Sequence, residues 1–170
     1  GVIGPALTCL AILPDLIMDA EWKKHLNLSF ATGMLAGLCF YFIPFALSAH
    51  YSGESVGLLG LQRVFYENFV RFTNPWDHKG PVYLYCLILP AYLLPWTFFF
   101  IPALALAPSR WKSMSPLGKR YLLATLCIFV FLTISKGRRD YYILPILPFA
   151  ILVCAEWVSA KIEQSQVMQR

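Results

Sequence analysis

The sequence predicts an all-α membrane protein, a polytopic bundle of about five transmembrane helices with an amphipathic interfacial helix in an outer loop. Hydrophobic residues make up 58% of the chain and charged residues only 14%, whereas soluble domains carry about 25% charged residues. The charges collect between long uncharged runs, a pattern that argues against a soluble helical domain. Most of the cations behind the net charge of +5 stand at the ends of these runs, where lipid headgroups are more natural partners than nucleic acid.

Five apolar runs approach the length of about 20 residues that a membrane-spanning helix needs. They are residues 1–18, 28–49, 83–107, 121–134 and 141–158. Together they define a membrane domain over residues 1–158, with an outer loop at 50–82 and a polar tail at 159–170. Gly1 stands inside an apolar run, without an initiator Met or a basic leader segment, so we expect further sequence upstream.

The charge of each connection predicts the orientation of the chain. The loop at 108–120 carries four cations and no acid, which places it in the cytoplasm by the positive-inside rule. Alternation of the spans then places 19–27 and the tail in the cytoplasm as well. It places 50–81 and 135–140 outside, although the second of these links is itself cationic.

That outer link contains Lys136, Arg138 and Arg139, followed by Tyr141 and Tyr142. The preceding run, 121–134, extends only about 21 Å as a helix, short of a hydrocarbon core of about 30 Å. We therefore expect the cations near the outer interface, where such groups usually have an anionic partner. A lipid phosphate suits them, because Arg can bind it bidentately and Lys adds a point charge. Snorkelling to ordinary headgroups is the alternative.

A second polar feature lies in the outer loop, where residues 57–72 have helical periodicity. Arg63, Glu67 and Arg71 form a polar stripe with a spacing of four residues. Opposite it is an apolar stripe made of Leu58, Leu61, Phe65, Phe69 and Phe72. The pattern predicts an amphipathic helix in the membrane interface, and a solvated ladder of ion pairs is the alternative reading of the polar stripe.

Metal and disulfide chemistry have little support in the sequence. His78 could carry a proton or bind a metal, but a single loop histidine beside Asp77 does not make a ligand set. The five cysteines fall in five different apolar segments without a C-x-x-C spacing, so they are expected to be small apolar side chains. We expect no cofactor, and the sequence leaves a divalent cation open.

Four ordered stretches carry a resemblance to a known family. They are Gly4-Pro5, Glu67-Asn68-Phe69-Val70-Arg71-Phe72, His78-x-x-Pro81-x-Tyr83-x-Tyr85 with Leu94-Pro95-Trp96, and Ser135-Lys136 with Tyr142-Ile143-Leu144-Pro145. Over roughly residues 1–155 the chain resembles the GT-C class of membrane glycosyltransferases, in the group of the protein O-mannosyltransferases and the aminoarabinose transferase of lipid A. Two departures are Phe45 after Pro44, where the family has Pro-Trp, and the irregular, more charged spacing after Lys136.

The resemblance implies that a sugar passes from a polyprenyl-phosphate carrier to an acceptor glycan, lipid or protein on the outer face of a membrane, in bacteria the inner membrane. Such transfer needs a base for the acceptor and cations for the departing phosphate. The family's acidic catalytic residue belongs to an earlier outer loop, so no catalytic residue is assigned. The residues implied in binding the donor are Lys136, Arg138, Arg139, Tyr141, Tyr142, Arg71, Glu67, His78 and Tyr85.

Two other functions are compatible with the pattern. Kinked helices and interfacial cations also suit a transporter or flippase of lipids or lipid-linked sugars, which inverted internal repeats would favour, and we find none. A small structural membrane subunit is the third possibility, and the long outer loop with its polar stripe argues against it.

Overall fold

The computed structural model describes residues 3–19, 27–52, 54–66, 70 and 80–168. Every regular element within these ranges is helical, which confirms the predicted all-α class. The α-helices are α1 (Ile3–Asp19), α2 (Leu28–Ser52), α3 (Glu54–Phe65), α4 (Leu84–Tyr92), α5 (Thr97–Arg110), α6 (Pro116–Ile134) and α7 (Leu147–Met168). Two 3-10 helices, Trp111–Ser113 and Asp140–Ile146, precede α6 and α7.

Three helical segments in the described residues are long and apolar enough to cross a membrane. They are Leu28–Tyr51, Pro116–Ile134 and Asp140–Met168. The apolar stretch Gly4–Met18 in α1 is shorter. The chain thus has the helices of an integral membrane protein, while the count of about five spans stays a prediction.

The apolar run at 83–107, expected as one span, is divided into α4 and α5 with a break over Leu93–Trp96. Pro95 lies in the break and has no backbone N–H to continue the helical ladder. Thr97 closes the break, because its side-chain hydroxyl donates a hydrogen bond to the carbonyl of Pro90. The N–H groups of Phe99 and Phe100 bond to the carbonyl of Trp96 at 3.0 and 2.9 Å, which starts the new helix.

The helix α6 is longer than the apolar run 121–134 that predicted it. It has 19 residues, or about 28 Å, because it begins at Pro116. Ser115 caps its first turn by accepting a hydrogen bond from the Gly118 N–H at 2.9 Å, and proline is well suited to the first helical position. The prediction that this span is too short for the membrane is therefore wrong, and it no longer supports a deep position for the cations that follow.

The buried core is formed by α4 to α7 together with the 3-10 helix Asp140–Ile146. Its most enclosed side chains are Tyr85, Leu93, Ile128, Ile143, Ile146 and Cys154. The helix α1 packs against α6 and adds Leu7, Leu10 and Ala11 to this core. The core therefore holds the link between α6 and α7 in place, and that link carries the predicted cationic site.

The helices α2 and α3 pack against each other. A Cβ added to Gly60 would lie 2.9 Å from Cδ1 of Phe45, so the absence of a side chain lets α3 fold back on α2. The rest of α2 exposes large apolar side chains such as Phe40 and Leu47, a surface that suits lipid or further protein. Of the amphipathic helix predicted over 57–72, α3 accounts for the part up to Phe65.

Candidate functional site

The link between α6 and α7 forms a compact turn at one end of the bundle. The helix α6 ends at Ile134, and the hydroxyl of Ser135 donates to the carbonyl of Gly137 at 3.3 Å. The Tyr142 N–H bonds to the carbonyl of Arg139 at 3.2 Å, which begins the 3-10 helix. This helix packs against α4, α6 and α7, so the cationic turn has a fixed backbone.

The guanidinium of Arg138 forms hydrogen bonds to main-chain carbonyls. Its Nε and Nη2 donate to the carbonyl of Thr133 at 3.2 and 2.7 Å. Its Nη1 donates to the carbonyl of Gly80 at 2.9 Å. Three of the five guanidinium N–H groups are thus engaged by main-chain oxygens of two separate segments.

The guanidinium of Arg139 takes a different position. Its Nη1 donates to the hydroxyl of Tyr141 at 2.7 Å, and its carbon atom Cζ lies 5.7 Å from the centre of the Tyr141 ring. The Nε atom is buried and makes no hydrogen bond to any described residue. The rings of Tyr141 and Tyr142 meet edge to face, with centres 5.0 Å apart, and keep this side of the turn aromatic.

Lys136 is exposed at the tip of the turn. Within the part of the chain that the structure describes, no carboxylate or carbonyl pairs with its ammonium group. Lys136 and Arg139 therefore keep cationic donors that can meet an anion, whereas most of the Arg138 donors are engaged.

Two tyrosines of α4 face the turn. Tyr85 is fully buried, and its hydroxyl lies next to the backbone of Arg139 and near Arg138, Asp140 and Tyr142. The hydroxyl of Tyr92 donates to Oδ2 of Asp140 at 3.3 Å. Of the predicted site residues, the structure thus brings together Tyr85, Lys136, Arg138, Arg139, Tyr141 and Tyr142.

The other predicted site residues, Glu67, Arg71 and His78, lie outside the described residues. Sequence reasoning missed Gly80 and the Tyr92–Asp140 pair. Gly80 occupies an unspecified position within the His78 motif, and only the fold shows that its carbonyl accepts a hydrogen bond from Arg138. The described ranges contain no cluster of three or more His, Cys, Asp or Glu residues that could hold a metal ion.

A second polar cluster lies at the opposite end of α6. The Ser115 hydroxyl donates a hydrogen bond to the carboxylate of Glu156 on α7. A cavity of about 40 Å³ lies beside this pair, with Arg110 and Trp157 in its wall. The Trp157 indole N–H is buried and has no acceptor among the described residues. These groups are far from the cationic turn, because α6 separates them along its length.

Comparison with known proteins finds relatives over almost the whole chain. In Shewanella sediminis, the undecaprenyl phosphate-alpha-4-amino-4-deoxy-L-arabinose arabinosyl transferase is 29% identical over 167 residues, which are 94% of this chain and 28% of that protein. The protein of the same name in Edwardsiella ictaluri is 32% identical over 162 residues, 90% of this chain and 27% of that protein. In Pseudomonas fluorescens, the protein with this name and the number 2 is 29% identical over 161 residues, which are 90% of this chain and 27% of that protein.

The chain thus spans little more than a quarter of the length of these relatives. No family model matches it, and no solved structure matches it. The resemblance to the lipid A aminoarabinose transferase group, which four ordered motifs predicted, is confirmed by the similarity to these transferases.

Proposed function

We propose that this chain is a membrane-embedded part of a glycosyltransferase that moves a sugar from a polyprenyl-phosphate carrier to an acceptor on the outer face of the membrane. At least 90% of the chain matches transferases that are named for an undecaprenyl-phosphate sugar, and this match carries the proposal. The same similarity favours a transferase over a transporter or a structural subunit. The proposal does not extend to the identity of the sugar or of the acceptor.

The turn at 135–142 is the proposed contact with the donor phosphate. As the sugar leaves, negative charge develops on the carrier phosphate, and fixed cations stabilise it. Lys136 supplies an exposed ammonium group, and Arg139 supplies a half-buried guanidinium whose Nη1 donates to the Tyr141 hydroxyl. Tyr141 orients Arg139 through its hydroxyl. The cluster therefore has the charge and the free donors that a phosphate needs.

The proposed topology has about five crossings of the bacterial inner membrane. In it α4 and α5 together make the third crossing, despite the break at Pro95. The cationic loop 108–120 faces the cytoplasm, and 50–82 and the turn at 135–140 face outside. The part of α3 that carries Arg63 is proposed to lie near the outer interface, beside the end of α2. The residues 159–170 form the cytoplasmic end, most of it within α7.

No catalytic base is assigned within this chain. Transfer to an acceptor hydroxyl needs a general base that removes its proton, and we place that base elsewhere in the enzyme. Glu67, Arg71 and His78 are proposed to complete the donor site from the outer loop. The proposal includes no cofactor and leaves a divalent cation open.

Sugar transfer measured against donor concentration tests the proposal in the enzyme that contains this chain. Lys136→Ala and Arg139→Ala each remove a charge-assisted contact of about 1.5–3 kcal/mol, so the donor KM should rise roughly ten- to a hundred-fold. Lys161→Ala, an exposed lysine on α7, is the matched control and should leave the donor KM unchanged. Wild-type donor dependence in both cluster variants would contradict the proposed phosphate site.

A further inference from the structure

The neighbouring arginines of the turn have opposite environments. Arg138 gives three N–H groups to the carbonyls of Thr133 and Gly80. Arg139 gives one to a tyrosine hydroxyl and retains a buried Nε without an acceptor among the described groups. Two adjacent guanidinium groups with such different partners are suited to different tasks.

We propose that Arg138 is a positioning residue that links Gly80, just before α4, to Thr133 at the end of α6, a contact called here the Gly80–Arg138 joint. Arg139 is then the arginine that contacts the donor phosphate. The second half of this proposal rests on the proposed function. The first half rests on main-chain contacts alone, and it holds for any activity of the turn.

The Arg138 contact joins two parts of the chain that are far apart in sequence. Thr133 lies in the last turn of α6, where free carbonyls favour a cation. Gly80 lies 58 residues from Arg138 in sequence, four residues before α4 begins at Leu84. Arg138 therefore links the chain just before α4 to the end of α6.

The backbone of Gly80 lies close to Arg138, as the Gly80–Arg138 joint requires. A Cβ at this position would lie 3.1 Å from the Cβ of Arg138 and 3.0 Å from Cδ2 of Leu84. Both distances are tighter than ordinary van der Waals contact, so a larger residue requires Leu84, Arg138 or the Gly80 backbone itself to shift. Gly80→Ala is thus a way to loosen the joint without touching a charge.

The joint bears on the site because α4 begins shortly after Gly80 and carries Tyr85 in its first turn. Tyr85 is fully buried beside the turn, close to Arg138 and Tyr142. The hydrogen bond from Tyr92 to Asp140 fastens the same helix to the turn a second time. A loosened Gly80–Arg138 joint should therefore misplace Tyr85 relative to the bound donor.

The test uses Arg138→Ala, Arg138→Lys, Gly80→Ala and Arg139→Ala in the enzyme that contains this chain. Donor KM, kcat and thermal unfolding in detergent are measured for each. The control is Gly37→Ala, since a Cβ on Gly37 meets no atom within 4 Å. Misplacement of reacting groups reduces turnover steeply, so Arg138→Ala and Gly80→Ala should lower kcat roughly ten- to a hundred-fold with donor KM little changed.

Three further results are expected. Combining Gly80→Ala with Arg138→Ala should be no worse than the stronger single variant, because both break one joint. Arg138→Lys should behave like Arg138→Ala, since an ammonium group cannot bridge both carbonyls as the planar fork does. Arg139→Ala should raise donor KM roughly ten- to a hundred-fold and leave the unfolding midpoint unchanged.

Two outcomes would overturn the inference, and they differ from failure of the proposed function. If Arg138→Ala raises donor KM as Arg139→Ala does, while Arg138→Lys and Gly80→Ala resemble wild type, Arg138 is a phosphate ligand and not a joint. If Gly80→Ala and Arg138→Ala both match Gly37→Ala in kcat and unfolding, no joint exists. A normal donor KM in every cation variant, with the joint effects intact, would instead contradict the phosphate site and with it the role of Arg139, while the role of Arg138 would stand.

Discussion

The carboxylate oxygen Oδ1 of Asp15 lies 3.0 Å from Nε of Arg120, and this ion pair joins α1 to the first turns of α6. Both side chains are 27% exposed, so the pair is neither a free surface contact nor a fully buried one. The sequence alone gives no sign of this pair, because its partners lie far apart in the chain.

Asp15→Asn should destabilise the packing of α1 on α6 by about 1–2 kcal/mol, between the values for exposed and buried ion pairs. Thermal unfolding of the purified protein measures the effect. Combining Asp15→Asn with Arg120→Gln should cost less than the sum of the single changes. Strict additivity would show that the two groups do not interact.

The proposed orientation predicts which loops a membrane-impermeant thiol reagent reaches from outside. With the native cysteines replaced, a cysteine at Ser55 should react and one at Ser113 should not, because 50–82 is placed outside and 108–120 in the cytoplasm. Permeabilised cells, in which both should react, are the control. Labelling of the Ser113 site alone in intact cells contradicts the orientation.

Asp140 adds a negative charge to the cationic turn. Asp140→Asn should strengthen donor binding by about 0.2–1 kcal/mol, roughly 1.5- to 5-fold in KM, and added salt should reduce the gain. Tyr92→Phe removes the hydrogen bond to Asp140 and keeps the charge, so it is the matched control. An equal change in both variants would assign the effect to the hydrogen bond.

Gly118 packs directly against Glu156, since an added Cβ would lie 2.7 Å from Cγ of that side chain. Gly118→Ala should therefore destabilise the α6–α7 contact by about 1–3 kcal/mol through overpacking. Glu156→Ala removes the obstructing side chain, so Gly118→Ala should cost far less in that background. Unfolding midpoints of the two single variants and the double variant measure this, and equal costs in both backgrounds would exclude the steric cause.

The sequence predicted the helices because a membrane helix needs a long apolar run, and α2, α6 and α7 each contain one. It misjudged the start of α6, because the polar residues before Tyr121 continue the helix under the cap of Ser115. Hydropathy measures where apolar side chains lie, whereas capping determines where the backbone begins to be helical.

The sequence also predicted a cationic turn, but it could not divide the tasks of its members. Arg138 and Arg139 are adjacent and chemically identical, and only the backbone of the turn directs one toward Gly80 and the other toward Tyr141. The Tyr92–Asp140 contact spans 48 positions and has no local pattern. Contacts of this range depend on how α4 packs beside the 3-10 helix.

The contact of Gly60 with Phe45 has a consequence for the biogenesis of the protein. The two residues are close in the chain, and α2 and α3 find their main partner in each other. Contacts between segments that are near in sequence form fastest. The α2–α3 hairpin should therefore assemble while the ribosome is still producing the later helices, giving the nascent chain a folded unit in the membrane before its core exists.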